Sequence, residues 1–452
     1  MEYTWIKKLK VFNREDAYFV YDGYSGRILS ICIQEFDLIK QMQFYINSGA
    51  EKEILELLEN RRTYFKTLNK KLSDIWQHDR LKESLLEKSL KDHMNIGLNS
   101  LWLNISHTCN MACRYCFVNK GKYDSKVQLM TLDIADNAVN EWLEKIDCTQ
   151  KVFNVIFFGG EPLLNLKVIN HVVTKINGKL DKMGAKCKYY LTTNGTIINN
   201  EIIELIKQND FVFSISMDGI QFIHDFNRPF ANGKNSYSCV RKNALEFLKI
   251  APKTIANMVV RKEGISFIVE SVNSLWKLGF KMVKVTLSLE GDVTLSPEDL
   301  IIYKEQMDIL SDITYQNIVT EKNYVVENFI EVFSSLSSRR NCGSCALYNC
   351  RQLVVDPLGR KCKCYKQISG ENKVDYTHGF VEKCSDCWAV SLCDEGCPLD
   401  HMVYTGDFYQ RNDSICISES CVYELSINMY LKFVCNGTDE LKHYFRWRHS
   451  NE

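Results

Sequence analysis

Cys109, Cys113 and Cys116 are the residues whose type and spacing point most directly to chemistry; they lie in the run His107-Thr108-Cys109-Asn110-Met111-Ala112-Cys113-Arg114-Tyr115-Cys116. Thiolates are the usual protein ligands of a [4Fe–4S] cluster, normally four of them. Three in one short loop suit three corners of the cube and leave the fourth iron open to an exchangeable ligand. The next cysteine, Cys148, follows an amphipathic stretch from Thr131 to Ile146 and would lie at the far end of that helix. The alternative is zinc, for which His107 and the three thiolates would complete a tetrahedral set.

The residues around the triad bear on that choice. Cys-x3-Cys-x2-Cys with Tyr115 just before the last cysteine resembles the signature of the radical S-adenosylmethionine (radical SAM) enzymes. The resemblance implies S-adenosylmethionine as cofactor. In that family its amino and carboxylate groups chelate the bare iron, and one electron from the cluster cleaves it to a 5′-deoxyadenosyl radical. Further motifs extend the likeness. Phe157-Phe158-Gly159-Gly160-Glu161-Pro162 resembles the Gly-Gly-Glu-Pro element, which implies that Gly159, Gly160 and Glu161 serve the methionine amino group. Thr192-Thr193-Asn194-Gly195 and Ser214-Ile215-Ser216-Met217-Asp218-Gly219 end two more expected strands. They resemble ribose-contacting and carboxylate-contacting positions, which points to Asn194 and Ser216. His224-Asp225-Phe226-Asn227-Arg228-Pro229 is similar to a His-Asp-x-x-Arg stretch, in which Arg228 would pair with the methionine carboxylate.

Composition restricts the partners. The 452 residues carry 56 Lys+Arg and 56 Asp+Glu, a formal charge of zero, so nothing generic favours nucleic acid or an anionic membrane. The N-terminus Met1-Glu2-Tyr3-Thr4-Trp5-Ile6-Lys7-Lys8 lacks an apolar signal segment, and no apolar run is long enough to span a bilayer. A cytoplasmic location is expected, where clustered cysteines bind metal more often than they form disulfides. Cys32, Cys187 and Cys239 sit singly and read as packing residues.

The elements that must position these residues follow from periodicity. Short strands around Ala17–Tyr21 and Arg27–Ile31, then helices over 35–47 and 51–68, make a small α+β unit. It resembles the winged-helix-like leader-recognition units of peptide-modifying radical enzymes. Six strand–helix repeats follow, with strands at 101–106, 152–158, 188–193, 211–217, 254–261 and 281–288. Such alternation implies an α/β fold with a parallel sheet and chemistry at the C-terminal strand ends. The resemblance names it a partial (β/α)6 radical SAM barrel. Residues 341–421 hold eleven of the nineteen cysteines with little periodicity. The expected domains are therefore 1–95 (leader recognition), 96–335 (barrel) and 336–440 (cysteine-rich).

Cys384-x2-Cys387-x5-Cys393-x3-Cys397, followed by Cys416 and preceded by Cys345-x13-Gly359-x4-Cys364, resembles the SPASM domain, which binds two auxiliary [4Fe–4S] clusters. Three clusters in all are thereby implied. Cys384, Cys387, Cys393 and Cys416 would hold the outer auxiliary cluster; Cys345, Cys364 and Cys397 would hold the inner one, with Cys342 or Cys350 as its fourth ligand. Cys421 competes with Cys416, and Cys362 lies beside Cys364. An all-thiolate zinc site at Cys384, Cys387, Cys393 and Cys397 is the alternative.

Taken together the motifs resemble peptide maturases that crosslink ribosomally made precursors, with thioether-forming ranthipeptide- and sactipeptide-type enzymes foremost. The implied partners are a precursor peptide with its leader and a flavodoxin- or ferredoxin-type reductant. Joining sulfur to carbon is a two-electron oxidation of which the adenosyl radical accounts for one electron, so a second acceptor must sit nearby. Carbon–carbon crosslinking meets the same demand. An anaerobic sulfatase-maturing, formylglycine-forming enzyme is a rival with no need of residues before Ile96, and a non-catalytic zinc or iron–sulfur scaffold is another.

Overall fold

Three antiparallel strands open the chain, β1 (Leu9–Arg14), β2 (Ala17–Asp22) and β3 (Arg27–Ile31), followed by α1 (Ile33–Ser48), α2 (Glu51–Asn60) and α3 (Arg62–Asp92). The computed structural model describes residues 3–92, 97–120, 123, 127–288, 295–338, 351–367, 384–393, 395–437, 439–440 and 442. Periodicity predicts one helix over 51–68; the structure breaks it at Arg61, where φ is −114°, and continues to Asp92. No glycine or proline marks that break, so the apolar spacing runs through it unsignalled. Ile6, Val20, Ile39, Met42, Leu68 and Leu72 form the core here. Asp22 is fully buried and is satisfied by the Tyr24 and Ser25 amides, the Ser25 hydroxyl and Trp76 Nε1, which ties the β2–β3 turn to α3.

The barrel begins with β4 (Ser100–His107) and the short β5 (Gln128–Leu129). It then alternates: α4 (Leu132–Glu144), β6 (Val152–Gly159), α5 (Leu166–Leu180), β7 (Lys186–Thr193), α6 (Asn200–Gln208), β8 (Phe211–Ser216), α7 (Gln221–Asn227), α8 (Tyr237–Ile250), β9 (Ile255–Val260), α9 (Ile268–Leu278), β10 (Met282–Leu287) and α10 (Pro297–Val319). The parallel strands lie in the order β10-β9-β8-β7-β6-β4, each beside its neighbour in sequence. All their C-terminal ends therefore share one rim. The six expected strands are present within one or two residues of their predicted bounds. Inward-facing Leu103, Val155, Phe157, Leu191, Ile215 and Val283 are essentially inaccessible, while side-chain caps from Thr131, Asn199 and Ser296 start α4, α6 and α10. Among the described residues no helix is long and apolar enough to cross a membrane.

Two expectations about the C-terminal third need correction. Beyond β11 (Val325–Val326) and α11 (Glu327–Ser338), the strand β12 (Gln352–Val355) pairs in parallel with β4 and carries β13 (Lys361–Cys362) antiparallel beside it. The buried run Leu353-Val354-Val355 thus extends the barrel sheet instead of belonging to an irregular tail. The second correction concerns α12 (Val390–Cys393), α13 (Pro398–Thr405) and α14 (Asp413–Asn436), the last a long regular helix capped by Asn412. Met1–Asn95, Phe329–Ser344 and Gly379–Lys442 form one compact unit, and Ile96–Asn328, Cys345–His378 and His443–Glu452 the other. Residues 1–95 thus share a unit with 379–440, whereas 345–378 of the expected third division fall in the barrel unit.

The contacts within the first unit explain why. Tyr21 Oη lies 2.6 Å from Ser391 Oγ, Lys10 pairs with Glu424 at 3.0 Å, and Lys7 pairs with Asp386 at 2.9 Å. Gly23 backs onto Trp388 so closely that a Cβ would lie 2.1 Å from its carbonyl oxygen. Gly23→Ala should therefore destabilise the chain by about 1–3 kcal/mol, the usual cost of forced overpacking. Gly178→Ala, within α5 with open space around it, should stabilise it by about 0.5–1 kcal/mol. Urea unfolding of both variants checks the pair.

Candidate functional site

The loop carrying Cys109, Cys113 and Cys116 leaves the C-terminal end of β4 and is clamped along its length by the end of α7 and the segment after it. Ala112 N donates to Pro229 O (2.9 Å), Arg114 N to Asn227 O (2.8 Å) and Ala231 N to Asn110 O (2.9 Å). The Arg114 guanidinium lies 4.4 Å over the Phe226 ring. Cys109 Sγ accepts from Met111 N at 3.4 Å and Asn194 Nδ2 at 3.6 Å. N–H donors aimed at sulfur are the contacts that tune iron–sulfur thiolates. Burial pushes the Cys109 thiol up to about 12 and also raises Cys113, against which the Arg228 charge pulls. Metal loading must displace those protons, so it is favoured by higher pH.

Glu161 closes the floor of this rim. Its backbone N–H donates to Thr108 O (2.9 Å), and Gly160 N donates to Ser106 O (2.8 Å), fastening the β6 turn to the start of the cysteine loop. Gly159 has φ +150°, and a Cβ there would lie 2.6 Å from Ser106 O, so only glycine allows the approach. The Glu161 carboxyl is fully buried and accepts from Leu163 N (3.0 Å), Thr193 Oγ1 (2.9 Å) and Asn194 N (2.7 Å). A carboxylate has about four acceptor positions, so one on Oε2 is left open. Burial raises its pKa to about 7 against the pull of these donors. Asn194 is engaged on both sides: Nδ2 also donates to Asn110 Oδ1 (2.8 Å), and Oδ1 accepts from Thr196.

A second buried network joins Tyr115, Asp218 and Arg228. Tyr115 Oη donates to both Asp218 oxygens at 2.9 and 3.0 Å and accepts from Arg228 Nη1. Asn227 Nδ2 and Val259 N complete Asp218, whose own N–H donates to His224 Nδ1. His224 Nε2 meets Ser236 Oγ at 3.1 Å, and Ser236 Oγ donates to Arg228 O. Burial raises the Asp218 pKa while Arg228 opposes it; Arg228 itself is held above its ordinary value by Cys113, Tyr115 and Asp218, overcoming the burial penalty. Arg228 Nε is buried and has no partner among the described residues. That orphaned donor beside Cys113 suits an anionic group. The half-buried Ser216 hydroxyl at the end of β8 is close by in sequence, two residues before Asp218.

The tail thiols divide. Cys384, Cys387, Cys393, Cys397 and Cys416 lie in the first unit and Cys364 in the barrel unit. Cys345 and Cys350, with Cys342, lie outside the described residues. The charge of Arg411 acts on Cys384, Cys393 and Cys416, which are thereby brought round one guanidinium. Among the described residues no three His, Cys, Asp or Glu side chains converge on one metal-ion position. Asp218, Arg411 and Glu419 escape sequence reasoning. Asp218 carried a signal, a carboxylate before glycine at a strand end; Arg411 and Glu419 carried none.

Asp218→Asn should cost about 3–5 kcal/mol, because it strands the buried Arg228 charge. Tyr115→Phe should cost about 1–3 kcal/mol, by unsatisfying two buried groups. Denaturant unfolding of the two variants and their combination should show strong coupling; additive losses would mean that the three side chains do not act as one network.

Residues 103–275 match the Radical SAM superfamily. A cysteine-type anaerobic sulfatase-maturating enzyme of Clostridium novyi is 23% identical over 338 residues, covering 67% of this chain and 88% of that protein. A radical SAM cyclopropyl synthase of Paramaledivibacter caminithermalis is 25% identical over 403 residues, covering 80% of this chain and 79% of that one. An uncharacterized Methanocaldococcus jannaschii protein is 32% identical over 192 residues; the match covers 42% of this chain and spans only 63% of that relative's length. The solved structure of native anSMEcpe with bound AdoMet superposes with a TM-score of 0.61 at 21% identity, covering 75% of this chain and all of that one, a likeness of fold. The matched stretch, residues 103–275, runs from β4 into α9 and carries the three-cysteine loop on the rim, and it is in this part that the chain is similar to the radical SAM superfamily.

Proposed function

We propose that the protein is a peptide maturase that installs an oxidative intramolecular crosslink, first of all a cysteine thioether to a backbone or side-chain carbon, in a ribosomally made precursor peptide. The supporting observation is the pairing, in one compact unit, of the N-terminal β1–β3 and α1–α3 element with a second set of cysteines gathered round Arg411. Hydrogen abstraction alone needs only the barrel. A crosslink also needs an acceptor for the second electron and a surface that holds a leader.

When bound, a [4Fe–4S] cluster and S-adenosylmethionine supply one-electron chemistry that removes a hydrogen atom from an unactivated carbon. Cys109, Cys113 and Cys116 would hold the cluster's three protein-ligated irons. Glu161 offers its open Oε2 position to the methionine ammonium, and Gly159 and Gly160 let the backbone come close. Arg228 offers its free Nε to the methionine carboxylate, while Tyr115 and Asp218 fix the guanidinium that does so. Asn194 steadies Cys109, and Ser216 offers a hydroxyl on the same rim. Cys384, Cys387, Cys393 and Cys416 would hold one auxiliary cluster, and Cys345, Cys364 and Cys397, with Cys342 or Cys350, the other. A flavodoxin- or ferredoxin-type protein would deliver electrons.

A second reading, formylglycine formation, is favoured by the Clostridium novyi relative, of which this chain covers 88%. Removing residues before Ile96 does not separate the two readings, because that segment packs against Ser391 and Glu424 of the cysteine-bearing tail. Product mass does. A crosslink retains sulfur and loses two hydrogens, whereas formylglycine made from cysteine loses the sulfur; a substrate that loses sulfur would overturn the crosslinking reading.

Cys113→Ala should abolish S-adenosylmethionine cleavage, while Cys393→Ala should retain part of it yet stop product formation; equal cleavage by both variants and wild type would defeat these roles. A buried carboxyl with a pKa of about 7 is increasingly neutral below that pH and cannot pair with an ammonium. Affinity for S-adenosylmethionine should therefore weaken as pH falls below 7, by up to about tenfold per unit, and Glu161→Gln should bind weakly at every pH. Isothermal titration under anaerobic conditions reads both.

A further inference from the structure

Arg411 precedes the helix cap Asn412 and is 8% exposed. Its Nη1 donates to Cys393 Sγ at 2.8 Å and its Nη2 to Glu419 Oε2 at 3.1 Å, while that carboxylate oxygen stands 3.3 Å from the same sulfur. Gly396, at φ +76°, lies against the guanidinium so closely that a Cβ would come within 2.7 Å of Nη2. Cys384 and Cys416 lie within electrostatic reach of the same charge. A guanidinium withdrawn from water needs anionic partners. Glu419 is one, but its side chain is 41% exposed and its charge is partly spent on solvent. Thiolates holding a cluster would supply the rest.

We propose that Arg411 is a positioning residue that donates an N–H···S hydrogen bond to a cluster thiolate at Cys393 and so sets the reduction potential of the auxiliary cluster held there. The assignment rests on the maturase reading, in which Cys393 is a cluster ligand. Hydrogen bonds to sulfur and nearby positive charge both favour the more negative, reduced cluster and raise its potential. A higher potential makes that cluster a better acceptor for the second electron of a crosslink. Lysine can substitute only in part, keeping the charge but not the planar fork that reaches sulfur and carboxylate together. Glu419 has the opposite electrical effect: it orients the fork but cancels part of its charge.

The test is redox-poised electron paramagnetic resonance of the anaerobically reconstituted full chain, with iron counted in each variant. Arg411→Gln should lower the auxiliary midpoint potential, a tenfold change in the electron-transfer equilibrium corresponding to about 59 mV for a one-electron couple. Glu419→Gln should raise it, and Arg411→Lys should restore only part of the loss. Opposite shifts from neighbouring residues are not what general loosening of the fold produces. Should Arg411→Gln fail to fold, the upward shift in Glu419→Gln, a partly exposed isosteric change, carries the test. Retained iron with unmoved potentials, or shifts of one sign in both variants, would overturn the Arg411 assignment alone. Equal iron in wild type and Cys393→Ala would instead overturn the cluster reading beneath it, and the assignment with it.

Discussion

The rim of this barrel depends on a buried guanidinium. Arg228 is 5% exposed, and a charge so placed is tolerable only if anionic and polar partners surround it. Asp218 and Tyr115 meet that need from opposite directions, one from the end of β8 and one from the cysteine loop. Because Tyr115 sits between Cys113 and Cys116, satisfying Arg228 also fixes the loop. Asn227, His224 and Ser236 then hold the arginine's own backbone in register with Asp218. Arrangement of the thiols is thus a consequence of solving an electrostatic problem behind them.

Glu161 plays the matching part on the other side. It is a carboxyl with no access to water, held by backbone and hydroxyl donors from the β6 and β7 ends. Together with Arg228 it gives the rim one buried group that can carry negative charge and one that must carry positive charge. A zwitterionic amino-acid group presents the complementary pair. Pre-set hydrogen bonding of this kind costs nothing to reorganise when a ligand arrives.

The tail repeats the principle with different parts. Arg411 is again a buried guanidinium beside a cysteine, and again one carboxylate shares it. The segment that carries it packs against the N-terminal strands, as the Gly23–Trp388 approach and the Tyr21–Ser391 contact show.

Much of the site was legible from local pattern. Six strands announced themselves by apolar runs, and the candidate residues Cys109, Cys113 and Cys116 by spacing and Gly159, Gly160 and Glu161 by their resemblance to a family element, because short-range backbone geometry and ligand chemistry act over few residues. The break at Arg61 was not legible, since neither neighbour is a helix breaker. Nor was the capture of Leu353-Val354-Val355 by β4, because a short apolar run does not say which sheet it will join. Sequence alone determined the chemistry on offer, three thiols at the end of the first barrel strand and a carboxylate at the end of the next. Only the tertiary structure decided which charges would be buried together, Arg228 with Asp218 and Arg411 with Glu419, because the balance between desolvation and pairing depends on partners distant along the chain.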